Sequence, residues 1–161
     1  MGVKRQMITV VVAAAGVAVV GLSGTAQAAP GYAPVKGTPG QVRGMVSAIQ
    51  AQLDAIAAGD TARVKQLSCG FFADDLLYHP KILTAISAET RTVDGRITVA
   101  RPRAATVANN LGRVTVDART AKRNPKAATS VRFTLDRTSG TWKVCAASTP
   151  YVSFAGLSAS A

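Results

Sequence analysis

Residues 131–146 read VRFTLDRTSGTWKVCA, and this stretch decides the architecture. Val131, Phe133 and Leu135 alternate with Arg132, Thr134 and Asp136. A period of two puts one set on each face of a β-strand. Ser139-Gly140 follows as a hairpin turn signal, and Trp142, Val144 and Ala146 form the next inward set. The pattern is an antiparallel hairpin with one apolar face. The same alternation recurs upstream, with Val114 and Val116 against Arg113, Thr115 and Asp117, and Ile97 and Val99 against Arg96 and Thr98. Thr106-Val107 continues the earliest strand past a break at Pro102, which cannot donate a ladder hydrogen bond. Turns fall at 109–112 and 123–126. About four antiparallel strands result, with Arg and Thr on a solvated face.

Before Glu89 the period is helical. Thr38-Pro39 makes a helix start, because Thr can cap and Pro fits the first turn. Val42, Val46, Ile49, Leu53 and Ile56 then lie on one helical face, and Gly59 ends the helix. Asp60 caps a short second helix carrying Val64 and Leu67, closed by Cys69-Gly70. Pro80 opens a third, with Ile82, Leu83 and Ile86 inward. Two to three helices packed on a curved antiparallel sheet make an α+β domain.

The ends differ from this middle. Lys4 and Arg5, an apolar run from Met7 to Leu22, and Ala26-Gln27-Ala28 read as a signal peptide, cleaved after Ala28. The run is short for a membrane span of roughly 20 residues. Residues 29–37 (APGYAPVKG) read as a flexible linker, residues 38–148 as the domain, and 149–161 as a small-residue tail. Without its leader the chain carries 17 Lys and Arg against 8 Asp and Glu, a formal charge of +9. The basic residues are scattered and aromatics are few, which argues against specific nucleic-acid binding. Weak attraction to anionic polymers is the expected consequence. Cys69 and Cys145 are the two cysteines. An even count in an oxidising compartment argues for one disulfide, and the alternative is two free buried thiols. Two Cys and one His are too few and scattered for a metal site.

Ala58-Gly59-Asp60 after a long helix, a short helix ending near Cys69, and the closing hairpin Gly140-Thr141-Trp142-Lys143-Val144-Cys145 together resemble the nuclear transport factor 2-like fold. The resemblance is to its small exported actinobacterial versions, and the plan is similar to small secreted mycobacterial antigens of that fold. It covers roughly residues 38–148. It implies a cone-like pocket between helices and sheet, and a disulfide joining Cys69 to Cys145.

Asp74-Asp75-Leu76-Leu77-Tyr78-His79 is the richest cluster of chemical groups. Some relatives in the resembled family use Asp, His or Tyr for proton transfer. On that pattern His79 is the base, Asp74 or Asp75 orients it, and Tyr78 donates to an oxyanion. The plainer reading makes the Asp pair a solvated cap and Tyr-His a loop entering the helix at Pro80. Asp117 falls on the wet face, paired with a neighbouring Arg. There is no phosphate loop, nucleophile elbow or paired ligand spacing, and no cofactor is expected. Trp142 reads as core or as a ligand-stacking ring, with Tyr78 as a second ligand-binding candidate. The expected function is a secreted, non-enzymatic domain that binds a protein partner or small hydrophobic ligand at or near the cell envelope. The alternatives are a small isomerase or dehydratase using His79 with Asp74 or Asp75, and charge-driven adhesion to anionic envelope polymers.

Overall fold

The alternating segments form the sheet. In a computed structural model, which describes residues 33–70, 72–74, 80–123 and 125–148, five strands pair antiparallel in chain order. They are β1 (Val35–Lys36), β2 (Ile97–Ala108), β3 (Leu111–Thr120), β4 (Thr129–Asp136) and β5 (Lys143–Ala147). Helices α1 (Pro39–Ala58), α2 (Thr61–Leu67) and α3 (Pro80–Glu89) precede β2, and a π-helical turn spans Thr90–Asp94. The molecule is an α+β fold with one disulfide. Among the described residues no helix is long and apolar enough to cross a membrane. The expected signal peptide and tail, and residues 29–32 of the expected linker, lie outside the described residues.

Burial follows the alternation along β3 and β4. Val114, Val116, Val131, Phe133 and Leu135 are fully buried. Each contributes about 1.5–3 kcal/mol relative to exposure. Helix α1 covers this face. Thr38 and Gln41 form a capping box, Gln41 N donating to Thr38 Oγ1 (3.3 Å) and Thr38 N to Gln41 Oε1 (2.8 Å). Gly59, at φ 72°, ends the helix. Its buried face is Met45, Ala48, Ile49, Gln52, Leu53, Ala55 and Ile56. Val42 and Val46 are only partly buried. The expected stripe therefore holds from Ile49 onward, but the first half is carried by Met45. Gln52 hides among apolar residues because its Nε2 donates to Ser68 Oγ at 2.8 Å. Its Oε1 has no hydrogen-bond partner among the described residues. Gln50 ties α1 to the sheet through its side-chain amide, which donates to Ile97 O (3.0 Å) and accepts from Val99 N (2.9 Å).

The structure corrects four expectations. Residues 35–36 are not linker: Val35 and Lys36 pair with Val107 and Thr106. So short an edge strand carries no periodicity to read. Pro102 does not break β2. Between Val99 and Ala104 the strand takes five steps while β3 takes three, from Ala118 to Thr115. The two extra residues are bulges, which accommodate a proline in a ladder. Because there are two, the phase is restored and Ala105, like Val99, packs on the core. Gly112 belongs to β3 opposite Leu135, not to a turn. Finally, Ala147 rather than Ala146 faces inward. Thr134 pairs with Ala146 but Leu135 with Val144, so Cys145 is an extra residue and the alternation flips there.

That bulge lies where the chain is stapled. Cys69 and Cys145 are disulfide-bonded across 76 positions of sequence. Beside them, Ser68 makes a parallel bridge to Val144, and Cys69 N donates to Val144 O at 2.9 Å.

Replacing both cysteines by Ser is expected to lower stability by up to about 4–5 kcal/mol, the chain-entropy value for a loop of this length. A urea midpoint unchanged in the double variant would contradict this. Gly112→Ala is expected to cost about 1–3 kcal/mol by overpacking, since a Cβ there would overlap Met45 Sδ and come within 2.9 Å of the Trp142 ring. The same urea titration measures it.

Candidate functional site

Trp142 is the one sequence-predicted ligand residue whose surroundings are described. It is buried, 9% exposed, and its ring is slotted between α1 and β3. Two glycines make the slot. A Cβ on Gly44 would lie 2.9 Å from Trp142 Cδ1, and one on Gly112 would meet the far side of the indole. The Arg137 guanidinium stands over the ring, 5.8 Å from its centroid. This is cation–π distance. Arg137 is itself held by the turn it opens: its Nε donates to Gly140 O at 3.3 Å, and Gly140 N donates to its carbonyl at 2.8 Å. Gly140 supplies the φ of 85° that this turn needs.

The ring's free edge borders an open groove of about 480 Å³. Its floor is the small-residue side of α1, Gly40, Gly44, Ser47 and Ala48, with Gln41 beside them. Leu67 at the end of α2 closes one side, and Arg137, Gly140, Thr141 and Trp142 form the other. Among the described residues, Arg137 is the only charged one lining it. The groove therefore offers an apolar aromatic edge, a narrow channel over glycine backbone, and one cation. Among the described residues it holds no carboxylate or imidazole for proton transfer. Sequence reasoning missed the roles of Gly44, Gly112 and Arg137. Gly40-x-x-x-Gly44 inside a strong helix was the available signal, because glycine there is unfavourable unless something packs close.

Of the proposed acid–base cluster, only Asp74 is among the described residues. Asp74 is exposed. Asp75, Tyr78 and His79 lie outside them. Asp117 is on the solvated face as expected, bonded to Arg103, whose Nε donates to Asp117 Oδ1 at 2.6 Å. That hydrogen bond and the carboxylate charge hold Arg103 still further toward its protonated form. No group of three or more His, Cys, Asp or Glu that could hold a metal occurs among the described residues.

A second ionic centre was not anticipated. Asp94, at the end of the π-helical turn, is fully buried. Arg123 Nε lies 2.8 Å from its Oδ1, and Arg123 Nη2 donates to Glu89 Oε1 at 2.8 Å. The basic stretch 119–126 is thus partly an internal ion pair rather than a free patch. Burial pushes the Asp94 carboxyl above its ordinary 3.8, Arg123 opposes that shift, and Glu89 adds to it. Compared with protein families, with curated proteins and with solved structures, the chain matches none.

The Asp94 shift has a defined sign. With the folded pKa above 3.8, the folded state binds the proton more readily than the unfolded chain. Asp94's contribution to stability is therefore full below 3.8 and declines as pH rises through the raised value. Urea unfolding across this range should show that decline in the native chain, and Asp94→Asn should remove it. An identical pH profile in the two proteins would contradict the assignment.

Proposed function

We propose that this chain is an exported, non-enzymatic binding domain of nuclear transport factor 2-like type, with the Trp142 groove as its ligand site. The observation that carries the reading is the ring held between Gly44 and Gly112, beside a groove whose single lining charge among the described residues is Arg137. Ligand sites combine apolar walls with a few placed polar groups, and this groove has that composition. The ligand class it fits is a small hydrophobic molecule with one anionic end, or a partner segment of the same character. The bulges of β2 support the curved sheet that the fold resemblance implies, since bulged strands bend. The space expected for a central pocket is occupied by Met45, Ile49, Phe133 and Leu135, which favours the rim of the fold over its interior as the binding site. The Cys69–Cys145 bond fits an oxidising compartment, as export with cleavage after Ala28 requires.

Trp142 is the only tryptophan, so its fluorescence reports on the groove directly. Titration with dodecanoate is expected to shift that emission saturably. Ser47→Phe, an exposed position on the groove floor, should abolish the shift by filling the channel. Arg137→Gln should weaken binding roughly tenfold, the loss of one charge-assisted contact. Emission that never responds, or binding that survives Ser47→Phe, would refute the groove as the site.

A further inference from the structure

Among the described residues, the sheet face turned away from α1 carries six cations, Lys36, Arg103, Arg113, Arg119, Arg132 and Lys143, against two carboxylates, Asp117 and Asp136. Asp117 is taken by Arg103. Asp136 accepts from Thr138 N and Oγ1 and stands opposite Lys143. Lys36 stands at the sheet edge on β1; the three arginines of β3 and β4, Arg113, Arg119 and Arg132, are all exposed, and none is within ion-pair distance of a described carboxylate.

The strand register gives these three a common setting. Arg113 has Thr106 on one side and Thr134 on the other, Arg132 is opposite Thr115, and Arg119 is opposite Thr98. Each guanidinium therefore has a cross-strand hydroxyl where a stabilising acid would otherwise stand. Arg113 and Arg132 are diagonal neighbours, about 7–8 Å apart, and like charges at that range oppose folding. Arg119 is six residues from Arg113 along β3, about 20 Å at strand rise. One small anion cannot reach all three, whereas an extended chain can.

We propose that this face docks a linear phosphodiester polymer along β3 and β4. A phosphodiester keeps its charge throughout the pH range of folded proteins. Its tetrahedral oxygens accept a guanidinium fork on one side and a threonine hydroxyl on the other. The three exposed cations of β3 and β4 are all Arg, which suits this geometry better than Lys. The site is separate from the Trp142 groove and does not depend on it.

The test uses the secreted chain and polyuridylate, a single-stranded phosphodiester polymer, followed by calorimetry. A variant carrying Arg113→Gln, Arg119→Gln and Arg132→Gln is compared with one carrying Arg43→Gln, Arg63→Gln and Lys65→Gln. The second set is equally exposed, lies on the helices, and removes the same charge. With a single-strand salt slope of about 0.7 per contact, the sheet variant should bind on the order of 100-fold more weakly at 0.1 M salt, with a slope lower by about two. The helix variant should change binding only about two- to threefold. Single Arg113→Gln and Arg132→Gln variants, each about fivefold weaker, guard against misfolding of the triple variant. Equal losses in the two triple variants would overturn the proposal, because binding would then be diffuse. So would failure to bind polyuridylate, or binding to vesicles of anionic phospholipid in its place.

Discussion

The described fold depends on how its last strand is fastened to the exit of the second helix. Strand β5 lies at the edge of the sheet, and the exit of α2 lies beside it. The Ser68–Val144 bridge, the Cys69 backbone bond to Val144 and the disulfide all join the same two points. With them in place, α1 cannot slide off the apolar face, because α2 follows it directly after Gly59. The bulge at Cys145 is part of this fastening. It takes the cysteine out of the regular ladder and resets the strand phase between Val144 and Ala147. The staple and the irregularity are therefore one feature rather than two.

The regular parts of the fold were legible because hydrophobic burial repeats with the backbone. Val114, Val116, Val131, Phe133 and Leu135 announce their strands, and Thr38, Pro39 and Gly59 bound α1. What was hidden depends on single contacts with no period. Gln52 looks like a surface residue until its partner Ser68, sixteen positions away, is known. Gln50 likewise gives no warning that its amide serves β2 as a neighbouring peptide would. It satisfies backbone groups at the end of β2 that two-residue β1 does not reach. Gly112 is unreadable for a related reason: its value lies in an indole and a thioether that arrive from other elements.

Of the candidate site, the sequence exposed Trp142 but not its setting. A tryptophan in a closing hairpin can be core, ligand platform or both. Only the approach of α1 through Gly44 shows that its body is core while its edge reaches a groove. Charge was legible in sum but not in distribution. Arg96 belongs to Asp54, Arg103 to Asp117, and Arg123 to Glu89 and buried Asp94. The basic residues thus divide into those paired with carboxylates, which add nothing to the net charge, and those that carry it. Composition cannot divide the two, because the pairs span from 14 to 42 residues of sequence.

The paired bulges of β2 have a consequence for how the chain can vary in length. One extra residue in a strand exchanges its two faces from that point on, whereas two restore them. Val99 and Ala105 both meet the core because the surplus between them is even. Losing one residue there would turn Val107 toward water and present Thr106 to the apolar interior. Losing two would leave every downstream side chain on its present side. Insertions and deletions in this strand are therefore tolerated by parity, and shortening it by a pair disturbs the core less than shortening it by one.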